Sequence, residues 1–241
     1  DINIPTLAAQ TSHWAGANLK NLVLEAFTQE RRRVKRATAA GKETSTSDRS
    51  VTMLDFEKAK NKILMGDERP TLAMKERTIA ITAYHEAGHA ILMLKKYPLT
   101  QNLTGVSIMP RTKSLGVTMG EYEGDRVSMT KRETEAEMAV LHAGRVAERI
   151  SFDEETTGPS NDIERATAFA RNWITKYGGS KKLGPINLEV TQAIGHDHLS
   201  EEDKKTIREE ITQLNLSADA EAERVLMENH DAYVRLAEGL I

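Results

Sequence analysis

The sequence predicts a mainly α-helical fold with a small β-sheet, arranged as a short all-helical unit followed by a larger helical one. Three observations lead there. Apolar residues recur at helical spacing through most of the chain, and several of these stretches open on capping residues. Only two short runs, residues 106–109 and 115–119, have the character of strands, with the turn-like stretch 110–114 between them. A charged linker over residues 67–70, ending in Pro70, separates three helices from everything downstream.

Composition narrows the function classes. The 241 residues suffice for one large domain or two smaller ones, and 39% hydrophobic with 29% charged residues suits a folded, helix-rich protein. A net charge of -3 gives no basic excess, so no nucleic-acid partner is expected. The absence of cysteine excludes disulfides, thiolate catalysis and cysteine-ligated zinc. Any zinc must then be held by histidine and carboxylate. The apolar runs are far shorter than the ~20 residues of a bilayer span, and no signal-peptide pattern opens the chain. The chain starts at Asp1 and enters a helical pattern almost at once, which reads as a piece excised from a longer protein.

The elements follow in order. Residues 1–10 read as a short helix with Asn3 as cap and Pro5 in its first turn. A second helix spans about 16–40, with Leu19, Leu22, Val23, Ala26 and Phe27 as its apolar stripe and a basic end at Arg31, Arg32, Arg33, Lys35 and Arg36. No aromatics interleave with that basic run, so it reads as a solvated helix end. Residues 41–50 form a polar loop. Thr52 and Asp55 open a third helix that turns Leu54, Phe56, Ala59, Ile63 and Leu64 inward and stops at Gly66. A fourth helix covers about 74–96 and ends before Pro98. Thr130 and Glu133 form a capping box for a helix to about Ile150, packing through Ala136, Ala139, Val140, Ala143, Val146 and Ala147, with Gly144 permitting close approach. Ser160 is placed to cap the next helix, which reaches about Tyr177. One long helix over 199–229 and a final one over 231–241 complete the chain.

The fourth helix carries the chemistry. His85-Glu86-Ala87-Gly88-His89 puts two imidazoles at i and i+4, on one helix face, where both reach a single metal ion. Glu86 stands beside them as a carboxylate able to take a proton from water at that metal. A chance match on an ordinary amphipathic helix is the competing reading. A catalytic zinc takes three protein ligands, so a third must come from elsewhere. Asp162 is the strongest carboxylate candidate, in the first turn of a helix after a Gly-Pro-Ser loop, with Glu148, Glu154 and Glu155 still in contention. His13 lies in the first helical unit. His142 reads as a packed histidine or one that supports a ligand, His196 and His198 as part of a solvated loop, and His230 as a histidine without a partner.

Beyond this motif the sequence resembles the FtsH-type, membrane-anchored AAA proteases and their M41 zinc peptidase domain. The resemblance covers nearly the whole chain. It is carried by the stretch 82–90 around His85 and His89, by Ile108-Met109-Pro110-Arg111 with Leu115-Gly116-Val117-Thr118, and by Ala143-Gly144-Arg145-Val146-Ala147-Glu148. Thr157-Gly158-Pro159-Ser160-Asn161-Asp162-Ile163, with Ala166-Thr167, Ala170-Arg171 and Leu183-Gly184-Pro185, completes the set. Residues 1–66 resemble the helical lid of the family's AAA module, through Gly16-Ala17-Asn18-Leu19, Phe56-Glu57-Lys58-Ala59 and Ile63-Leu64-Met65-Gly66, although Asn18 and His13-Trp14-Ala15 depart from the usual pattern. Residues 67–241 resemble the peptidase domain, with its C-terminal end cut short.

The resemblance implies a helical zincin-like peptidase with Zn2+ on His85, His89 and Asp162 and with Glu86 as general base. It implies that Glu148 orients a ligand histidine and that Leu115, Gly116, Val117 and Thr118 form the strand along which substrate lies. It further implies an ATP-dependent protease acting on unfolded or misassembled membrane proteins, a homohexamer, and a membrane anchor outside this chain. ATP and Mg2+ would bind only a part of the AAA module absent here, since no Gly-x-x-x-x-Gly-Lys-[Ser/Thr] loop is present. Residues 62–66, 130–133, 184–188 and 235–241 are most similar to the mitochondrial branch that faces the intermembrane space, which implies the mitochondrial inner membrane. The alternative is a non-catalytic helical assembly module with a structural metal held by four protein ligands.

Overall fold

The computed structural model of the chain describes residues 2–11, 14–42, 45, 49–67, 74–112, 114–122, 128–189 and 199–241. Contacts divide these into two compact units. One holds the described residues up to 67 together with 109–112 and 114–115; the other holds 74–108, 116–122 and 128 onward. Asp67, the first residue of the expected linker, belongs with the first unit, where its carbonyl accepts from the Thr112 N–H at 3.0 Å. Residues 68–70 of that linker lie outside the described residues.

Among its described residues the first unit holds three helices. Asn3 Oδ1 accepts from the Thr6 N–H at 3.1 Å and starts α1 (Ile4–Ala9). The second helix, α2 (Gly16–Ala39), packs against α3 (Met53–Met65) through Leu22, Ala26, Phe56 and Ala59. A reciprocal capping box opens α3, with Thr52 Oγ1 accepting from the Asp55 N–H and Asp55 Oδ2 accepting from the Thr52 N–H. Arg33 donates to both oxygens of buried Asp55, at 3.2 and 3.0 Å. Burial pushes that carboxyl up, but the bonds from Arg33 and Thr52 outweigh it and hold it below its ordinary range.

Two expected stripes are narrower than their spacing suggests. Leu19, Val23 and Phe27 on α2 and Leu54 and Leu64 on α3 are exposed. Of the expected stripe residues, Leu22 and Ala26 on α2 and Phe56 and Ala59 on α3 are the buried ones.

The second unit packs α4 (Glu76–Lys96) on α5 (Lys131–Phe152), with α6 (Ser160–Thr175), α7 (Glu201–Glu228) and α8 (His230–Leu240) around them. The α4–α5 contact is made of small residues: Ala87 meets a surface that includes Ala139, Ala143, Val146 and Ala147, each fully enclosed. Every residue expected on the packing side of α5 is buried. Ala222, Val225 and Leu226 of α7 and Tyr233 and Ala237 of α8 close this core. Tyr233 donates its hydroxyl proton to the Ala147 carbonyl at 3.0 Å, and its ring meets Tyr84 edge-on. Tyr84 also meets Phe152 edge-on, so aromatic packing supports α4 next to His85.

Among the described residues the sheet is a single antiparallel pair, β1 (Asn102–Ser107) with β2 (Val117–Glu121), in which Val106 faces Thr118. The first strand lies earlier than expected and stops before Ile108. The second begins at Val117, so Leu115 and Gly116 precede it. A hydrophobic run marks burial, whereas the strand extends as far as its partner supplies hydrogen bonds.

One helix start differs from expectation, and the expected long C-terminal helix is present. Pro159, not Ser160, precedes the first residue of α6. The long helix α7 runs unbroken through Asn215 and Ser217 because Asn215 bonds in two directions: its Nδ2 donates to the Ile211 carbonyl and its Oδ1 accepts from His142 Nε2 at 3.0 Å. No helix among the described residues is long and apolar enough to cross a membrane.

Candidate active site

One turn of α4 separates His85 from His89, and their Nε2 atoms lie 3.0 Å apart. The outer nitrogen of each ring has its own partner. His89 Nδ1 is 2.7 Å from the Val140 carbonyl oxygen. A carbonyl only accepts, so Nδ1 carries the hydrogen and Nε2 keeps its lone pair. His85 Nδ1 is 2.8 Å from Glu148 Oε1, and the other oxygen of that fully buried carboxylate accepts from the Thr156 N–H at 2.8 Å. Glu148 is thereby fixed at both oxygens, and it fixes His85.

Asp162 arrives from the first turn of α6. Its Oδ2 lies 3.5 Å from His89 Nε2 and 3.6 Å from His85 Nε2. The three donor atoms all fall within 4.8 Å of one another. Two imidazoles held with Nε2 turned inward and one carboxylate fit a metal ion, and this donor set is one that a catalytic zinc accepts while a fourth position stays open. A structural zinc site would bring four protein donors; among the described residues this group brings three.

The charges in the site are strongly coupled. Burial disfavours a charged His85, but hydrogen bonds to Asp162 and Glu148 and the charges of Glu86 and Glu148 outweigh it and raise the ring to about 9. Burial likewise pushes Asp162 up, yet the two histidines hold it far below the usual carboxylate range. Glu148 is held down in the same way, against burial, by His85 and Thr156.

A sign follows for the metal-free protein. Because His85 rises from its ordinary 6.5 to about 9 on folding, its contribution to stability is complete below pH 6.5 and is lost as pH rises through 9. A metal ion needs the Nε2 lone pair, so its uptake near neutral pH must drive about one proton off His85. Titration calorimetry in buffers of different ionisation enthalpy is expected to show that release near neutrality and its disappearance above pH ~10. Release near zero at neutral pH would mean the ring is already neutral.

Glu86 lies against β2 and the glycine just before it. Its carboxylate Oε2 accepts from Thr118 Oγ1 at 2.8 Å. A methyl group on Gly116 would stand 2.7 Å from Glu86 Oε1, so the backbone there approaches the carboxylate as closely as glycine allows.

The remaining candidates are placed elsewhere. Glu154 pairs with Arg77, and Glu155 with Arg145 and Arg149, so neither carboxylate joins the group. His142 is buried against Asn215 and faces Asp219, while His230 is largely solvated. Leu115 belongs with the first unit. His13, His196 and His198 lie outside the described residues. Sequence reasoning did not find the Val140 carbonyl or the Thr156 N–H, because backbone groups leave no mark in composition. Gly116 and Thr118 are expected only as part of the substrate strand; their alternation with Gly120 is the signal for a strand face set against a neighbour.

A family model for peptidase family M41 matches residues 72–241 of the sequence, the stretch that contains this whole constellation. The chain belongs to peptidase family M41. Proteins similar to it include three named ATP-dependent zinc metalloprotease FtsH. Those of Haemophilus influenzae, Caulobacter vibrioides and Neorickettsia risticii are 39%, 38% and 37% identical to it. Each match covers 100% of the chain but only 37%, 38% and 36% of the respective relative. The chain thus carries an M41 peptidase domain and spans a little over a third of the length of these relatives.

Proposed function

We propose that the chain is the zinc-dependent endopeptidase part of a larger ATP-driven protease, with His85, His89 and Asp162 as zinc ligands and Glu86 as general base. The observation that carries this reading is the convergence of those three donor atoms, with the Glu86 carboxylate held by Thr118 on the same helix turn as His85. Zinc bound there supplies Lewis-acid polarisation of a substrate carbonyl and acidifies water at its open position. The protein groups do the rest. Val140 and Glu148 keep both rings turned so that Nε2 faces inward. Glu86 removes a proton from the attacking water at its carboxylate and returns it to the departing amide nitrogen, so the base is regenerated in each cycle.

The substrate in this reading is extended, unfolded polypeptide. Among the described residues β2 pairs with β1 alone, which leaves its other edge able to receive a strand by β-augmentation. Residues 1–66 serve as the lid of an AAA module whose nucleotide-binding core lies outside this chain, and 67–241 as the peptidase domain. The full protein then works as a membrane-anchored homohexamer that removes unfolded or misassembled membrane proteins. The names of the FtsH relatives support the ATP dependence, and the similarity of residues 62–66, 130–133, 184–188 and 235–241 to the mitochondrial branch supports a place in the mitochondrial inner membrane.

Asp162→Asn tests the ligand set. The amide keeps the shape but loses the charge, so zinc affinity of the full-length protein should fall by more than the ~10–100-fold that loss of a mere supporting partner costs, with casein degradation falling in step. Metal analysis after dialysis against a weak chelator reads the first and fluorescent casein the second. Unchanged zinc content and unchanged degradation would remove Asp162 from the set.

A further inference from the structure

We infer that Thr118 is a positioning residue for proton transfer, holding the Glu86 carboxylate from the strand along which substrate lies. The inference rests on the reading of Glu86 as the base and goes beyond it. Thr118 Oγ1 lies 2.8 Å from Glu86 Oε2 and 2.9 Å from the Glu86 backbone carbonyl. The hydroxyl has one proton, and a bond to an ionised carboxylate is the stronger use of it. One side chain therefore touches both ends of the same glutamate, which leaves that glutamate few rotamers.

A second, independent contact closes the other side. A Cβ on Gly116 would stand 2.7 Å from Glu86 Oε1, 2.8 Å from Glu86 Cγ and 2.8 Å from Thr82 Cγ2. Thr82 is stiff at χ1, so the group that would yield is the carboxylate itself. At Gly120 a Cβ would likewise run into Met93 and Gln101. Gly116, Thr118 and Gly120 alternate, so they share one face, and that face lies on α4. Side chains stand perpendicular to a sheet while its hydrogen-bonding edge lies in the plane. The same strand can thus take a substrate along its edge and grip the base with its face, which ties the position of the proton acceptor to that of the scissile bond.

The experiment uses the zinc-loaded full-length protein and a short fluorogenic peptide that needs no unfolding. Thr118→Val, which keeps the shape and loses the hydroxyl, should lower kcat ~10-fold or more with KM within about twofold. Thr118→Ser should recover most of the rate. Zinc content and melting temperature should not move in either, and Gly116→Ala should reproduce the kcat loss. In a Glu86→Gln background, Thr118→Val should cause no further loss, since there is no base left to position. A Thr118→Val protein with normal kcat overturns the inference, as does a loss carried wholly by KM or a serine variant as slow as the valine one. If Glu86→Gln itself still cleaves, the reading of the base falls and this inference with it. If Glu86→Gln is inactive and Thr118→Val is unimpaired, only the positioning role falls.

Discussion

Glu86→Gln is expected to leave zinc bound and to reduce peptide cleavage by ~10²–10⁴-fold, the usual contribution of a general acid–base group. The substitution removes the proton acceptor at nearly constant shape; it also removes one of the charges that raise His85, which a zinc measurement on the variant takes into account. Glutamine has the length and shape of glutamate, and its amide oxygen can accept from Thr118 Oγ1 as Glu86 Oε2 does. The close contact at Gly116 is unchanged in size. His85 and His89 are oriented by Glu148 and Val140, neither of which touches the substituted group. His89→Ala is the contrasting variant: it removes a donor from the cluster, so metal and activity should disappear together. Metal analysis and casein degradation, measured on both variants, separate the two kinds of loss. A Glu86→Gln protein that digests casein at the normal rate would show that another group takes the proton.

The residues of the site differ in how legible they are in the sequence. His85, Glu86 and His89 are local: the helix period brings them together, so spacing suffices. Asp162 carries a local signal too, as an acid in a first turn, but so do many acids that bind nothing. Its convergence with the histidines depends on how α5 and α6 are packed against α4, and no spacing states that. The grip of Thr118 on Glu86 spans 32 residues, and the Val140 contact to His89 spans 51. Such pairs are fixed by tertiary packing. The fold divides the same way. Capping boxes at Thr52 and Thr130 marked helix starts because the motif is complete within four residues. The stripe on α2 was read too wide because periodicity states which residues share a face and not how much of that face is covered.

Gly144→Ala is expected to remove the metal from a protein that still folds. The α4–α5 contact leaves no room beside this residue: an added Cβ would stand 2.3 Å from His85 Cε1, 2.5 Å from Nε2 and 2.6 Å from Nδ1. Two ways of relieving the clash exist. If the helices move apart, the enclosed alanines around Ala87 and Ala143 lose contact and Tyr233 loses its bond to Ala147. If the ring swings away, it gives up Glu148 at 2.8 Å and takes Nε2 out of the group. The helices are held by a whole core, whereas the ring turns about two bonds, so the ring should be the part that moves. Overpacking of this kind costs about 1–3 kcal/mol, which a domain stabilised by ~5–15 kcal/mol can survive. The metal site has no such reserve, because a ligand nitrogen displaced by more than about 1 Å no longer binds in the same geometry. Gly88→Ala offers the comparison. Its Cβ would meet the Ala143 carbonyl oxygen and the Ala147 methyl, both at 2.7 Å, and neither can rotate out of the way. That variant should lose melting temperature before it loses metal, and Gly144→Ala should do the reverse. Calorimetric melting and zinc content of the two variants, measured side by side, decide it: a Gly144→Ala protein with full zinc would mean that α4 and α5 separate more easily than His85 turns.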